Sequence, residues 1–217
     1  MITFAAVFSG TSLRRVFFNV SVSVSVCVVL MSVGCSRHNV RQPVDSANHE
    51  IKEIRDPDIH FVPTPYKVVE KMLEMAEVKK SDLVYDLGCG DGRIVITAAR
   101  KYGCQCIGYD IDPERIIESM ANVKKYKVQK RVRIEQQDVF TLDLSKASVI
   151  TLYLLESLNV KLIPQLERLK PGTRVVSHDF GMRDIVTPDK TVTLTANGQQ
   201  HTIHLWIAPL KKNNVSN

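Results

Sequence analysis

Residues 86–92, with the sequence DLGCGDG, form a glycine-rich stretch between an apolar run and a run with helical spacing. Glycines at Gly88, Gly90 and Gly92 allow the backbone to come close to a ligand. The spacing differs from the G-x-G-x-x-G fingerprint of dinucleotide-binding proteins, because Arg93 stands where the third glycine would be. The stretch therefore indicates a site for a nucleotide-containing cofactor, and its neighbours must decide which one.

The hydrophobic pattern around this stretch alternates between short apolar runs and runs with helical spacing. Such repeated units predict a parallel sheet with helices on both faces. The last two runs, KTVTLTA and QHTIHLWIAPL, flank Asn197 and Gly198, a dipeptide typical of tight hairpins. We therefore predict an α/β fold of a single domain, with a Rossmann-like, doubly wound, mostly parallel seven-strand sheet and a C-terminal antiparallel hairpin.

In a doubly wound sheet, ligands bind at the carboxyl ends of the strands near the switch point, which is where Asp86 and Asp110 are expected. The stretches DLGCGDG, GYDID and QQDVF resemble the first three motifs of class I S-adenosylmethionine-dependent methyltransferases, and the resemblance extends over about residues 60–208. It implies that Asp86 holds the amino group of the cofactor and that Asp110 accepts both ribose hydroxyls. The residues that the resemblance assigns to S-adenosylmethionine are Thr64, Asp86, Gly88, Gly90, Asp110, Ile111, Asp138 and Val139.

Residues 61–73, FVPTPYKVVEKML, narrow the resemblance further. Together with the first motif they are similar to the mitochondrial lysine methyltransferases that act on the ATP synthase c-subunit and the adenine nucleotide translocator. In that group this stretch folds over the cofactor, which implies that Phe61, Pro63 and Thr64 close its methionine end. Residues 151–180 resemble uncharacterised bacterial members more closely, so the resemblance leaves the methyl acceptor open.

Candidate catalytic residues follow the predicted fourth and fifth strands, which end at LYLLES and SHDF. A lysine amine must lose a proton before it attacks a methyl group, and a carboxylate, histidine or tyrosine can assist. This reasoning selects Tyr153, Glu156 and His178, with Asp179 beside the histidine. Tyr153 can equally be a core aromatic residue, and His178 a hydrogen-bonded structural residue.

The main hypothesis is therefore methyl transfer from S-adenosylmethionine to a protein lysine. A lipid-soluble small molecule is an alternative acceptor; a dinucleotide-dependent oxidoreductase and a non-catalytic cofactor-binding module are alternatives of other classes. Arg93 and the terminal hairpin count against the oxidoreductase. A basic cluster within residues 124–133 contributes to the formal net charge of +6. No RNA-binding motif accompanies it and no adenine-methylation motif occurs, so a nucleic-acid partner is not expected.

The first 35 residues are predicted to be a signal peptide or a membrane anchor. Arg14 and Arg15 precede an uncharged run over residues 16–34, and SVGC, which ends at Cys35, partly resembles a bacterial lipoprotein signal. Residues 36–59 are predicted as a linker, 60–210 as the domain and 211–217 as a tail. We expect membrane association. The side of the membrane stays open, because the supply of the cofactor favours the cytoplasmic face whereas a lipoprotein signal favours the opposite face.

Three cysteines lie in the predicted domain: Cys89, Cys104 and Cys106. Cys104 and Cys106 are two residues apart in a predicted strand, so they share a face but are poorly placed to form a disulfide. We expect free thiols, and because no paired metal-ligand spacing occurs, no metal site is expected.

Overall fold

The structure, a computed structural model, describes residues 56–58 and 60–213. The predicted signal or anchor, almost all of the linker and residues 214–217 lie outside the described residues, and the segment boundaries stay predictions. Within the described ranges, no helix combines the length and the apolar character that crossing a membrane requires.

Helices and strands alternate along the described ranges up to the fifth strand, as the hydrophobic pattern predicts. A single 3₁₀ turn, Val139–Thr141, lies between the third and fourth strands. The elements are α1 (Tyr66–Met75), β1 (Leu83–Leu87), α2 (Arg93–Tyr102), β2 (Gln105–Asp110), α3 (Pro113–Lys125), β3 (Val132–Gln136), β4 (Val149–Leu152), α4 (Glu156–Leu166), β5 (Arg174–His178), β6 (Lys190–Ala196) and β7 (Gln199–Ile207).

The strands form one sheet in the order β3-β2-β1-β4-β5-β7-β6. Strand β1 pairs in parallel with both β2 and β4, so the strand order reverses there. Strand β7 runs antiparallel to β5 and β6, and it follows β6 through Asn197 and Gly198, whose φ angles of 51° and 78° suit the predicted two-residue turn. The predicted fold is confirmed.

Helices α1, α2 and α3 cover one face of the sheet, and α4 covers the other. The first face is buried under residues such as Val69 and Met72 of α1, which recur at helical spacing. The second core contains Leu162 and Leu166 of α4 together with Trp206 of β7. With both faces buried, the carboxyl ends of the parallel strands are the edge at which a ligand can approach.

Local signals at the helix starts are only partly those expected. Asp112 accepts a hydrogen bond from the Glu114 N–H at 2.8 Å with proline at the first helical position, so α3 begins as predicted. The residue types predict Thr64 as the cap of α1, but Pro65 occupies that position and no side chain caps the helix. The Thr64 hydroxyl instead contacts His178, so a distant strand uses it.

Candidate active site

A cavity of about 260 Å³ opens at the carboxyl ends of β1, β2 and β4, next to the point where the strand order reverses. Residues from the segment before α1 line it on one side, among them Phe61 and Thr64. This is the position at which doubly wound sheets bind ligands. The predicted site residues that line the cavity are Thr64, Gly88, Asp110, Ile111, Asp138, Val139 and Tyr153.

Gly90 shows why the loop after β1 needs glycine. Its φ is +54°, and an added Cβ would lie 2.1 Å from Cε2 of Phe61. A side chain at this position would therefore displace the aromatic ring that lines the cavity. At Gly88, where φ is +80°, an added Cβ would lie 2.9 Å from Leu154. Neither residue next to Cys89 therefore has space for a side chain.

The carboxylate of Asp110 orients this loop. Its Oδ2 accepts a hydrogen bond from the Gly90 N–H at 2.8 Å, and its Oδ1 accepts one from the Asp112 N–H at 3.0 Å. Each oxygen can accept a second hydrogen bond. Asp110 therefore combines a fixed orientation with free acceptor capacity at the cavity wall, as hydroxyl recognition requires.

Asp138 has both of the roles that its sequence context allows. Its Oδ1 accepts the Phe140 N–H at 3.0 Å and so caps the 3₁₀ turn. The residue also lines the cavity, as does Val139 beside it. The cap orients the carboxylate without removing it from the place expected for the adenine end of the cofactor.

Asp86 lies behind the loop, with 1% of its surface exposed, and is not among the cavity-lining residues. Its Oδ1 accepts a hydrogen bond from the Thr151 hydroxyl at 2.6 Å, whereas its Oδ2 has no hydrogen-bond partner within the described part of the chain. Burial raises the pKa of Asp86 to about 7; the Thr151 hydrogen bond opposes this shift, and Asp110 and Asp91 add to it. An orphaned buried oxygen of this kind fits a cationic amino group, either directly or through a water molecule that links the oxygen to the amino group.

Arg93 connects the loop to the outer wall of the cavity. Its Nη1 donates to the Thr64 carbonyl oxygen at 2.8 Å, and its Nε and Nη2 form a two-pronged contact with Asp91 at 2.9 and 2.6 Å. Its guanidinium also lies 5.2 Å from the centre of the Tyr66 ring. In the sequence, Arg93 only counts against a dinucleotide, and its closing role could not be read from the motif.

Aromatic side chains form the end of the cavity near β4 and β5. Tyr153 and Phe180 both line it, and their rings are stacked with centres 6.2 Å apart. Burial and the neighbouring Asp179 raise the pKa of Tyr153, so its hydroxyl stays protonated at neutral pH. Phe180 directly follows the SHD triplet but is not among the predicted site residues. Its position depends on a bend after the strand, which no local sequence pattern predicts.

His178 and Glu156 do not line the cavity. His178 is fully buried behind Tyr153, with ring centres 3.9 Å apart, and burial lowers its pKa to about 4. Glu156 begins α4 and contacts Arg183 at 3.4 Å at the surface. The geometry brings Tyr153 to the cavity, places His178 in contact with it, and leaves Glu156 apart. Catalytic roles for the three stay predictions.

The residues present fit S-adenosylmethionine. The orphaned Asp86 oxygen suits the amino group of the cofactor. The glycine loop, which has no side chains at Gly88 and Gly90, lets the cofactor lie close to the backbone. Asp110 and Asp138 offer carboxylates to hydroxyl and amine donors. These complementary groups are spread over three strand ends, which is what the three sequence motifs predict.

Comparisons with known proteins agree with this assignment. Residues 86–190 match the family described as the ANTKMT methyltransferase domain. A protein-lysine N-methyltransferase of Saccharolobus islandicus (strain REY15A) is 46% identical over 153 residues, which are 70% of this chain and 94% of that protein. The ATP synthase c-subunit lysine N-methyltransferase of Homo sapiens is 31% identical over 121 residues, or 55% of this chain and 51% of that protein.

Among solved structures, an RNA methyltransferase from Salinibacter ruber in complex with S-adenosyl-L-homocysteine superposes with a TM-score of 0.64. It is 46% identical and covers 70% of this chain and 97% of that chain. The names of these relatives differ in the methyl acceptor but agree on methyl transfer. The chain belongs to the family of S-adenosylmethionine-dependent methyltransferases, and its residues 86–190 match the ANTKMT methyltransferase domain.

Proposed function

We propose that this protein transfers the methyl group of S-adenosylmethionine to the side-chain amine of lysine in a protein substrate. The observation that carries the proposal is the 46% identity with a protein-lysine N-methyltransferase over 94% of that protein's length. The stacked rings of Tyr153 and Phe180 support it, because a narrow aromatic wall suits an extended aliphatic side chain.

S-adenosylmethionine supplies an electrophilic methyl group on a sulfonium, so positioning and exclusion of water are the main tasks left to the protein. Leu154, Leu155 and Phe180 make the acceptor end of the cavity apolar. An apolar surrounding favours the neutral form of a lysine amine, which is the nucleophile. The protonated Tyr153 hydroxyl can orient that amine by accepting a hydrogen bond from it.

The basic cluster gives little support to an RNA acceptor. Its residues lie around the end of α3 at Lys125 and the start of β3 at Val132, which is the amino end of the strands. The cavity opens at the carboxyl ends, on the opposite edge of the sheet. Two of the cations are also engaged, since Arg131 donates to the Gly103 carbonyl and Arg133 pairs with Glu135.

The test is transfer of labelled methyl groups by the full-length protein to whole-cell fractions. Protein, RNA and lipid are separated after the reaction, and the protein fraction is hydrolysed for amino-acid analysis. Methyl-lysine as the labelled product supports the proposal, whereas label in RNA or lipid overturns it. Asp110→Asn, which weakens the carboxylate expected to recognise the ribose, is the control for label that does not depend on the cofactor site.

We also propose that residues 16–34 attach the protein to a membrane. The support is the length of the uncharged run and the arginines before it. Full-length protein is expected in the membrane pellet after an alkaline wash, and a chain lacking residues 1–35 in the supernatant. Full-length protein in the supernatant contradicts this proposal without affecting the methyl-transfer proposal.

A further inference from the structure

A cluster of three metal-ligating side chains lies directly behind the wall of the cavity. His178 ends β5, Asp179 follows it, and His201 comes from the antiparallel neighbour β7. His178 Nε2 lies 2.9 Å from His201 Nδ1 and 3.1 Å from Asp179 Oδ2, and His201 Nδ1 lies 3.3 Å from the same oxygen. Two nitrogens and one carboxylate oxygen therefore form a triangle in which every edge has the length of a hydrogen bond.

Protons alone cannot satisfy such a triangle while Asp179 is ionised. If both nitrogens carry a proton toward the carboxylate, two donors face each other across the 2.9 Å edge between His178 and His201. If only one nitrogen is protonated, the lone pair of the other faces the carboxylate oxygen. One edge is thus repulsive in each arrangement, whereas a cation between the three atoms is attracted to all of them.

We propose that His178, Asp179 and His201 bind a divalent transition-metal ion, with Zn²⁺ as the representative of its class. An ion about 2.1 Å from each ligand atom separates tetrahedral ligands by about 3.4 Å and adjacent octahedral ligands by about 3.0 Å. The observed separations of 2.9, 3.1 and 3.3 Å lie around the octahedral value and below the tetrahedral one. Two imidazoles and one carboxylate suit Zn²⁺ or Fe²⁺, whereas Ca²⁺ and Mg²⁺ prefer oxygen ligands.

The backbone holds Asp179 in the orientation that a ligand needs. Its φ of 57° lies in the left-handed region, and its N–H donates to the Thr202 carbonyl at 2.7 Å. The Thr202 N–H donates in return to Asp179 Oδ1 at 2.8 Å, which leaves Oδ2 for the cluster. Asp179 is also the partly exposed member, with 30% of its side chain accessible, so an ion and its water ligands have a route from solvent.

One of the two remaining ring nitrogens has the hydrogen-bond partner that is usual around a metal-bound histidine. His178 Nδ1 lies 3.3 Å from the Thr64 hydroxyl, and with Nε2 on a metal the proton is held at Nδ1 and donated to Thr64, as is usual around metal-bound histidines. His201 Nε2 is buried and has no hydrogen-bond partner within the described ranges, so the proton that it would carry with Nδ1 on a metal has no protein acceptor there. Thr64 and Tyr153 touch His178 and line the cavity, so an ion here would fix the wall from behind.

No sequence spacing indicates this cluster, because its two histidines are 23 residues apart on strands whose pairing brings them together. Its role is positional: it would orient the His178 ring against which Tyr153 packs. The proposal does not depend on the identity of the methyl acceptor.

The test measures Zn²⁺ binding to the full-length chain after dialysis against a chelator. We expect one Zn²⁺ per chain by calorimetric titration with ZnCl₂, and a midpoint of thermal unfolding that rises with ZnCl₂ concentration. His201→Gln and Asp179→Asn are each expected to weaken binding by roughly a hundredfold or more. His204→Gln is the control, since His204 lies on the same strand, contacts Thr191 and the backbone of Asp179, and supplies no ligand atom to the cluster.

Equal affinities in the His201→Gln and His204→Gln chains, or no stoichiometric binding at micromolar ZnCl₂, overturn the proposal. Asp179→Asn keeps the inference testable if His201→Gln does not fold, because asparagine tolerates the left-handed conformation. Co²⁺ gives an independent readout in the unaltered chain: visible bands of nitrogen and oxygen ligation support the site, and intense thiolate bands contradict it.

Discussion

The buried carboxyl group of Asp86 makes the stability of the cofactor-free protein depend on pH in a defined direction. Its pKa is about 7 in the folded chain, against an ordinary value of 3.8. Because the folded state holds the proton more tightly, the stabilisation is complete below pH 3.8 and is lost as the pH rises through 7. From the two pKa values, about 2 kcal/mol is lost by pH 5 and about 4 kcal/mol by pH 8.

Asp86→Asn removes this dependence, because an amide does not ionise and can still accept the Thr151 hydrogen bond through its oxygen. Between pH 5 and pH 8, the free energy of unfolding of the variant should therefore gain roughly 2–3 kcal/mol on that of the wild type. Urea unfolding at pH 5, 6, 7 and 8 measures the difference, with Trp206 as the fluorescent probe; it is buried and is the only tryptophan in the chain.

A difference between the two chains that does not change with pH would refute the reasoning about Asp86. Asp143→Asn is the matched control: Asp143 is exposed, and hydrogen bonds from Ser145 lower its pKa, so its titration is complete below pH 5. S-adenosylhomocysteine supplies the functional counterpart. Its cationic amino group should bind at least about tenfold more weakly to Asp86→Asn, because a charge-assisted hydrogen bond is lost.

Three further substitutions have defined outcomes. Gly90→Ala should weaken S-adenosylmethionine binding about tenfold or more by calorimetry, because its Cβ collides with Phe61 at the cavity wall; the φ of +54° adds about 1–2 kcal/mol of strain, which lowers stability. Gly198→Ala should cost about 1 kcal/mol in urea unfolding with unchanged activity, since its φ is +78° but nothing lies within 4 Å of an added Cβ. Tyr153→Phe should lower kcat about tenfold at unchanged KM for the cofactor, as one hydrogen bond to the acceptor amine is removed.

Gly181→Ala is the control for both glycine variants, because Gly181 has open space around it and no left-handed backbone. It should leave stability and cofactor binding unchanged. Full cofactor affinity in Gly90→Ala would mean that Phe61 moves freely and does not form the wall. An unaltered kcat in Tyr153→Phe would remove the hydroxyl from the reaction and leave only the ring as a packing surface.

The central part of the site was accessible from sequence because its determinants are local. Strands β1, β2 and β3 each have a glycine or an acidic residue at their carboxyl end or within two residues of it, and the strand order of a doubly wound sheet brings those ends together. Asp110 and Asp138 both line the cavity, and their contacts with the cofactor stay predictions. The hairpin was equally accessible, because Asn197 and Gly198 both tolerate positive φ.

Contacts between distant segments were not accessible in this way. Thr64 has the residue type and spacing of a helix cap, but its hydroxyl reaches His178, 114 residues away. His201 lies in a strand with ordinary alternation of side chains, and only the antiparallel pairing of β5 with β7 brings it to His178. Such partners follow from register across the sheet, which residue spacing along the chain does not encode.

Arg93 determines two properties of the site at once: the composition of the loop after β1 and the contact of that loop with the segment that contains Thr64. It replaces the glycine of a dinucleotide loop, and the same side chain holds the Thr64 carbonyl at 2.8 Å and Asp91 at 2.6 Å. A glycine at this position would remove both contacts, so the segment that contains Thr64 would lose its hydrogen bond to the loop. The loop after β1 and the segment before α1 therefore depend on the same side chain, and a substitution of Arg93 that alters one of them alters the other as well.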